Sequence, residues 1–275
     1  VRGGAARSLP RRQLGILPAE PAGDGGHVRA GSRRRLWTAR PDLDLQRLSA
    51  IKRERAERAA AFFSDIAPHW DSIRSLYVDE REVEAALVEI IAATAPRDLL
   101  DIGTGTGRMI EVLASRVGQA LGVDQSREML AVARVNLERA GAVNCMVRLG
   151  DMYQLPLPDA SFDAVVIHQV LHYADRPAAV IAEAARVLRP NGVLVVVDFA
   201  PHLLEFLRDE HAHHRLGFSD AEVAEWCQAA GLDPAPPRHL RGEPLTVAIW
   251  TSHRQAAVQP EPRPGLAASE QVLQP

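Results

Sequence analysis

Cysteine is scarce in this sequence, with only Cys145 and Cys227 in 275 residues. Each sits inside an apolar-patterned segment. That excludes a disulfide framework, a zinc knuckle and a Cys-x-x-Cys redox pair, and leaves both as small core residues. Aromatic residues make up 5% of the chain, and no uncharged apolar run approaches the roughly 18 residues a membrane helix needs. Nothing near the start combines a compact apolar core with a small-residue cleavage site, so the expected compartment is the cytoplasm.

What is present begins with an asymmetry of charge. The formal net charge is −3, but residues 1–40 hold nine arginines against Glu20 and Asp24, which puts +7 in this leader and −10 on the rest. The leader is rich in Gly, Pro and Arg and has no apolar period, so it cannot bury enough surface to offset the entropy of ordering. It also lacks the aromatic interleaving of single-strand binders and any helix-turn-helix pattern, so nucleic acid is not an expected partner. The pattern then changes. Residues 43–63 space Leu45, Leu48, Ile51 and Ala59 along one helical face, and Val83, Leu87, Ile90 and Ile91 repeat similarly up to the breaker Pro96. The expected organisation is a disordered leader over 1–40, N-terminal helices over 41–95, an α/β domain over 96–254 and a disordered tail over 255–275.

Within 96–254, strand-like runs at 99–102, 120–123, 143–149, 162–168 and 193–199 alternate with helical patterns at 108–116, 127–140 and 177–188. Such alternation implies a parallel sheet with helices on both faces. After it comes a helical stretch over 203–230, a Pro-rich segment at 232–239 and a β-prone run at 245–251. Two final strands closing the sheet as a hairpin would complete a doubly wound, seven-stranded, mostly parallel sheet with an N-terminal helical extension.

The stretch Asp101-Ile-Gly103-Thr104-Gly105-Thr-Gly107-Arg108 follows an apolar strand and opens a helix. Residues without a Cβ let the chain turn sharply and bring backbone close to a ligand, and the helix start presents unpaired N–H groups. The spacing is G-x-G-x-G rather than the G-x-G-x-x-G of dinucleotide enzymes, and an aspartate precedes it. That carboxylate would repel a pyrophosphate, whereas it can accept from a cationic amino group. About twenty residues on, Asp124 ends the next strand and offers a carboxylate to a ribose diol, with Gln125 and Met129 flanking an adenine.

At these residues the sequence resembles the class I S-adenosylmethionine-dependent methyltransferases. It is closest to the ubiquinone- and menaquinone-biosynthesis kind, and to domains fused behind winged-helix regulators of the ArsR type. The resemblance covers about residues 60–250. It implies a Rossmann-like methyltransferase fold, S-adenosyl-L-methionine as cofactor and a small-molecule methyl acceptor. It also implies that Asp101, Gly103, Thr104, Gly105 and Gly107 handle the methionine portion. Gly150-Asp151-Met152 resembles the family's element whose carboxylate accepts from the adenine amino group. Leu155-Pro156-Leu157-Pro158 and Ser161-Phe162-Asp163 fit as well.

His168-Gln-Val-Leu-His172 looks superficially like the zinc motif H-E-x-x-H, but glutamine replaces the general base and His168 ends a strand. At the carboxyl edge of a sheet, where open α/β folds bind ligands, His168, His172 and Tyr173 are pocket candidates. Either histidine can take a proton, or His168 can pack on the cofactor while His172 satisfies a loop carbonyl. The same stretch does not match the Asn/Asp-Pro-Pro-Tyr/Phe element of nucleic-acid amino-methyltransferases. Residues 201–217, with His211, His213 and His214, read as a lid beside the cofactor's methyl end. The rival readings are a regulator whose methyltransferase fold senses a ligand, and a nicotinamide oxidoreductase, which the glycine spacing disfavours. Deleting residues 1–40 is expected to leave the melting temperature and cofactor affinity almost unchanged in thermal scans and calorimetry, because the leader has no apolar face to bury.

Overall fold

The runs at 162–168 and 193–199 are apolar at nearly every position, a pattern suited to strands covered on both faces. The computed structural model, which describes residues 46, 47, 50 and 80–256, puts them at the centre of a sheet. Contacts divide the chain into two units, 1–48 and 49–275. In the first only Gln46 and Arg47 are described, both helical. The expected leader and tail, and most of the helix expected over 43–63, lie outside the described residues.

In the second unit, α1 (Glu80–Thr94) leads into β1 (Asp98–Ile102), α2 (Arg108–Leu113), β2 (Gln119–Asp124), α3 (Arg127–Arg139) and β3 (Cys145–Leu149). The chain continues through β4 (Phe162–His168), a 3-10 turn (Leu171–Tyr173), α4 (Pro177–Val187) and β5 (Leu188–Phe199). Short α5 (Phe206–Glu210), α6 (Asp220–Ala229), β6 (Leu232–Pro234), β7 (Arg238–Arg241) and β8 (Thr246–Arg254) follow. The strand order is β3-β2-β1-β4-β5-β8-β6, with β7 also on β8. β1 to β5 run parallel, and β8 is antiparallel to β5, β6 and β7.

Alternate residues of the central strands feed two cores. Val165, Ile167, Leu194 and Val196 pack with Val180, Ile181 and Ala184 of α4 and with Phe218 and Cys227. Ala164, Val166, Val195 and Val197 pack with Val83, Leu87 and Ile91 of α1 and with Ile110 and Leu113 of α2. Helices thus cover both faces, as expected for a doubly wound sheet. Among the described residues no helix is long and apolar enough to cross a membrane.

Two details differ from the expectation. The sheet has eight strands rather than seven, because the Pro-rich segment after α6 supplies both β6 and β7 to β8. The helix expected over 203–230 is two short helices. Ala212 and Gly217 between them have φ of 56° and 82°, which no α-helix contains. A Cβ on Gly217 would lie 2.2 Å from the Ala200 carbonyl oxygen, so the chain passes the end of β5 there as bare backbone. α6 then restarts on a capping box, in which the Ser219 hydroxyl accepts from the Glu222 N–H and Glu222 accepts in return from the Ser219 N–H.

Gly217→Ala combines a left-handed φ with a backbone collision, and is expected to cost about 2–4 kcal/mol. Urea unfolding of the variant checks this.

Candidate functional site

The strand order reverses between β1 and β4, so the loops leaving their carboxyl ends diverge and open a crevice. The glycine loop forms one lip. Gly103 (φ 75°) and Thr104 donate their N–H groups to the Val123 carbonyl at 2.7 and 3.1 Å, which folds the loop over the end of β2. A Cβ on Gly103 would lie 2.3 Å from a methyl of Val170, so the turn after β4 closes directly onto it. Gly107 precedes α2 as its N-cap and abuts Ala133 of α3.

Asp124 ends β2. Its Oδ2 accepts from the Gly105 N–H at 2.9 Å and its Oδ1 from the Ser126 N–H at 2.8 Å. Burial pushes this carboxyl above its ordinary value of 3.8, against the pull of N–H donors at Ser126, Gly105 and Gln125. Each oxygen retains a lone pair for a further donor.

The crevice is a cleft along the carboxyl ends of these strands. Asp124, Gln125, Met129, Gly150 and Met152 line its end by β2 and β3, while Asp101, Gly103, His168, Gln169, Val170 and Tyr173 line its end by β1 and β4. Thr104, Gly105, Thr106, Met109 and Val123 complete the wall. Of the residues expected in the site, Gly107, Asp151 and His172 do not line it. Asp151 is exposed and its carboxylate accepts from the Tyr153 N–H at 2.9 Å, which shapes the loop after β3 and leaves neighbouring Gly150 and Met152 on the cleft. Among the described residues no lysine or arginine lines the cleft, although the carboxylates of Asp101 and Asp124 do.

His172 is buried behind this wall, and its partner escaped the sequence reading. Its Nδ1 lies 2.8 Å from Oδ1 of Asp198, the last residue but one of β5, and its backbone N–H donates to Oδ2 of the same carboxylate. The Phe199 N–H also donates to Asp198. With Nδ1 committed to the carboxylate, Nε2 is the ring nitrogen left to accept. A polar residue closing an apolar strand at the ligand edge was the available signal, as at Asp101 and Asp124. Two backbone N–H groups, of His214 and Arg215, donate to the His172 carbonyl at 2.9 and 3.1 Å, so the 201–217 segment docks on this turn. His213 enters beneath it with its ring centroid 4.1 Å from that of His172. Among the described residues no three His, Cys, Asp or Glu side chains group as a metal would need.

Gln169 is also set apart. Its φ is +53°, a left-handed conformation costing a residue with a Cβ about 1–2 kcal/mol. Such strain gathers at ligand sites.

Residues 100–196 match the family model described as a methyltransferase domain. A demethylmenaquinone methyltransferase of Deinococcus radiodurans is 38% identical over 158 residues, covering 54% of this chain and 64% of that protein. An uncharacterized methyltransferase of Mycobacterium bovis is 40% identical over 171 residues, covering 60% and 63%. The chain thus spans somewhat under two thirds of either relative. The solved structure of the YcgJ protein from Bacillus subtilis superposes with a TM-score of 0.56 at 19% identity, covering 64% of this chain and all of that one. The fold is therefore the Rossmann-like methyltransferase fold.

His213 carries a pH prediction. Burial, followed by the facing imidazoles of His172, His211 and His202, depresses its pKa well below 6.5. The unfolded chain therefore takes up a proton below pH 6.5 that the folded protein refuses, and stability falls as pH falls through that value. His213→Leu is expected to flatten the decline of the unfolding free energy below pH 6.5, measured by denaturant titration at a series of pH values.

Proposed function

We propose that this chain is an S-adenosylmethionine-dependent methyltransferase acting on a small-molecule acceptor, in the cytoplasm. The observation that carries this reading is the charge of the cleft: two carboxylates and, among the described lining residues, no lysine or arginine. A dinucleotide would bring its pyrophosphate against those carboxylates with no cation among the described lining residues to offset them. A sulfonium cofactor with a ribose diol and an ammonium group has what carboxylates accept. The two methyltransferase relatives and the matching domain support the same reading.

In this proposal Asp101 takes the ammonium group, and the backbone of Gly103, Thr104 and Gly105 borders the methionine portion. Gly107 serves indirectly, by seating α2. Asp124 accepts from the ribose diol through the lone pairs left by its two backbone bonds. Gln125, Met129 and Met152 enclose the adenine, and Asp151 shapes the loop bearing Met152. When bound, the cofactor supplies an electrophilic methyl group whose leaving group departs neutral, so alignment and exclusion of water account for much of the rate.

His168 lines the cleft, and in this proposal it takes the proton from an acceptor that must lose one. His172 acts as a positioning residue: held by Asp198, it fixes the turn that presents Tyr173 to the cleft. Residues 201–217 contribute to recognising the acceptor. The regulatory alternative, with the leader on DNA, rests on residues outside the described ones, and no described observation favours it.

Asp124→Ala is expected to weaken S-adenosylmethionine binding by about 1–3 kcal/mol in calorimetry, while NAD gives no heat with either protein. Affinity in the parent protein should also drop on acidification, because a protonated Asp124 loses acceptor capacity. The raised carboxyl places that drop above 3.8, and Asp124→Asn should abolish it. Unchanged affinity in a folded Asp124→Ala protein would remove the ribose assignment.

A further inference from the structure

If the cleft takes S-adenosylmethionine, one of its charges has no partner yet. Asp101 suits the ammonium group of the cofactor's amino-acid end, but the carboxylate beside it needs donors, and among the described residues no lysine or arginine lines the cleft. The side-chain donors that line it are those of Thr104, Thr106, Gln125, His168, Gln169 and Tyr173.

The side chains narrow the choice. Thr104 Oγ1 is buried against β2, where a Cβ on Gly122 would lie 2.5 Å from it, so it faces the sheet. Gln125 carries an amide, but it follows Asp124 at the β2 end of the cleft. Gln169 carries the other lining amide and stands at the β4 end. The β1–β4 register pairs Ile102 with Ile167, so the residues just beyond, Gly103 and His168, are neighbours, and Gln169 follows directly. Its backbone is fixed, because its N–H donates to the Val197 carbonyl at 2.7 Å and the next residue, Val170, fills the space over Gly103.

Gln169 is buried, its side chain has no hydrogen bond to another described residue, and it lines the cleft. Its amide is therefore available to a ligand in the cleft. Its NH2 group can donate to a carboxylate oxygen. Glycine would adopt the φ of +53° without strain, so the side chain here is held against the preference of its own backbone.

We infer that Gln169 is a specificity-determining residue for the cofactor, its amide NH2 donating to the amino-acid carboxylate while Asp101 accepts from the ammonium group on the same carbon. The pair reads a zwitterion with one charged and one neutral group. It thereby avoids a cation that would compete for Asp101 or attract phosphates.

The inference rests on the cofactor assignment above, and two ligands separate the two. S-adenosylhomocysteine carries the amino-acid end, and 5′-methylthioadenosine lacks it while keeping the adenine and ribose. Calorimetry on the full chain should show Gln169→Gly, which suits the backbone, binding S-adenosylhomocysteine about tenfold more weakly or worse. Gln169→Glu, which sets a charge against the carboxylate, should bind it more weakly still. Both variants should bind 5′-methylthioadenosine as the parent does and melt no lower than a few degrees below it. Unchanged S-adenosylhomocysteine affinity in both variants overturns the role of Gln169 and leaves the cofactor assignment standing. So does an equal loss for both ligands, which would mark a distorted cleft. A parent protein that binds neither ligand overturns both.

Discussion

A carboxylate sunk at the end of a parallel strand has to find hydrogen-bond donors nearby, and the way Asp124 does so organises this cleft. Its two oxygens draw in the Gly105 N–H from the loop after β1 and the Ser126 N–H from the start of α3. Ser126 in turn caps α3 by accepting from the Met129 N–H at 3.1 Å, and Met129 lines the cleft. One buried charge thus sets the glycine loop, the start of a helix and a side chain on the ligand wall. It does this with capacity to spare.

The opposite wall uses the same device to a different end. Asp198 closes β5 as Asp124 closes β2, but all three of its donors belong to the protein: the His172 ring, the His172 N–H and the Phe199 N–H. Here the carboxylate secures the turn at 171–173, on which residues 214 and 215 then dock. A strand-end aspartate that lines the cleft suits a ligand, and one buried away from it among protein donors suits a scaffold. The difference lies in the neighbouring loops rather than in the residue.

The legible part of the molecule was the part encoded locally. The apolar runs of β4 and β5 are unbroken because helices cover both faces, and the glycine loop announces itself by spacing. Asp124 could be read because a strand end and a helix start bracket it. Contacts between distant stretches were not visible: Asp198 meets His172 across 26 residues of sequence, and the space over Gly103 is filled by Val170. Local periodicity also misled over 203–230, where apolar spacing suggests one helix but Ala212 and Gly217 take left-handed conformations, Gly217 where the chain passes close to Ala200. Two final strands were expected and three are present, because β6 and β7, both short and in a Pro-rich stretch, each find an edge on β8.

β8 therefore has a role in the order of assembly. It pairs with β5 along one side and with β6 and β7 along the other, and it is the last described strand of the sheet. During synthesis every earlier strand emerges before it, and until it arrives β5 shows the Val-rich edge from Val193 to Phe199 to the surroundings. Such an open apolar edge is a template for pairing with another chain. Chains stalled before Thr246 would thus be the adhesive ones, and a chaperone guarding this protein would have most to do in that interval.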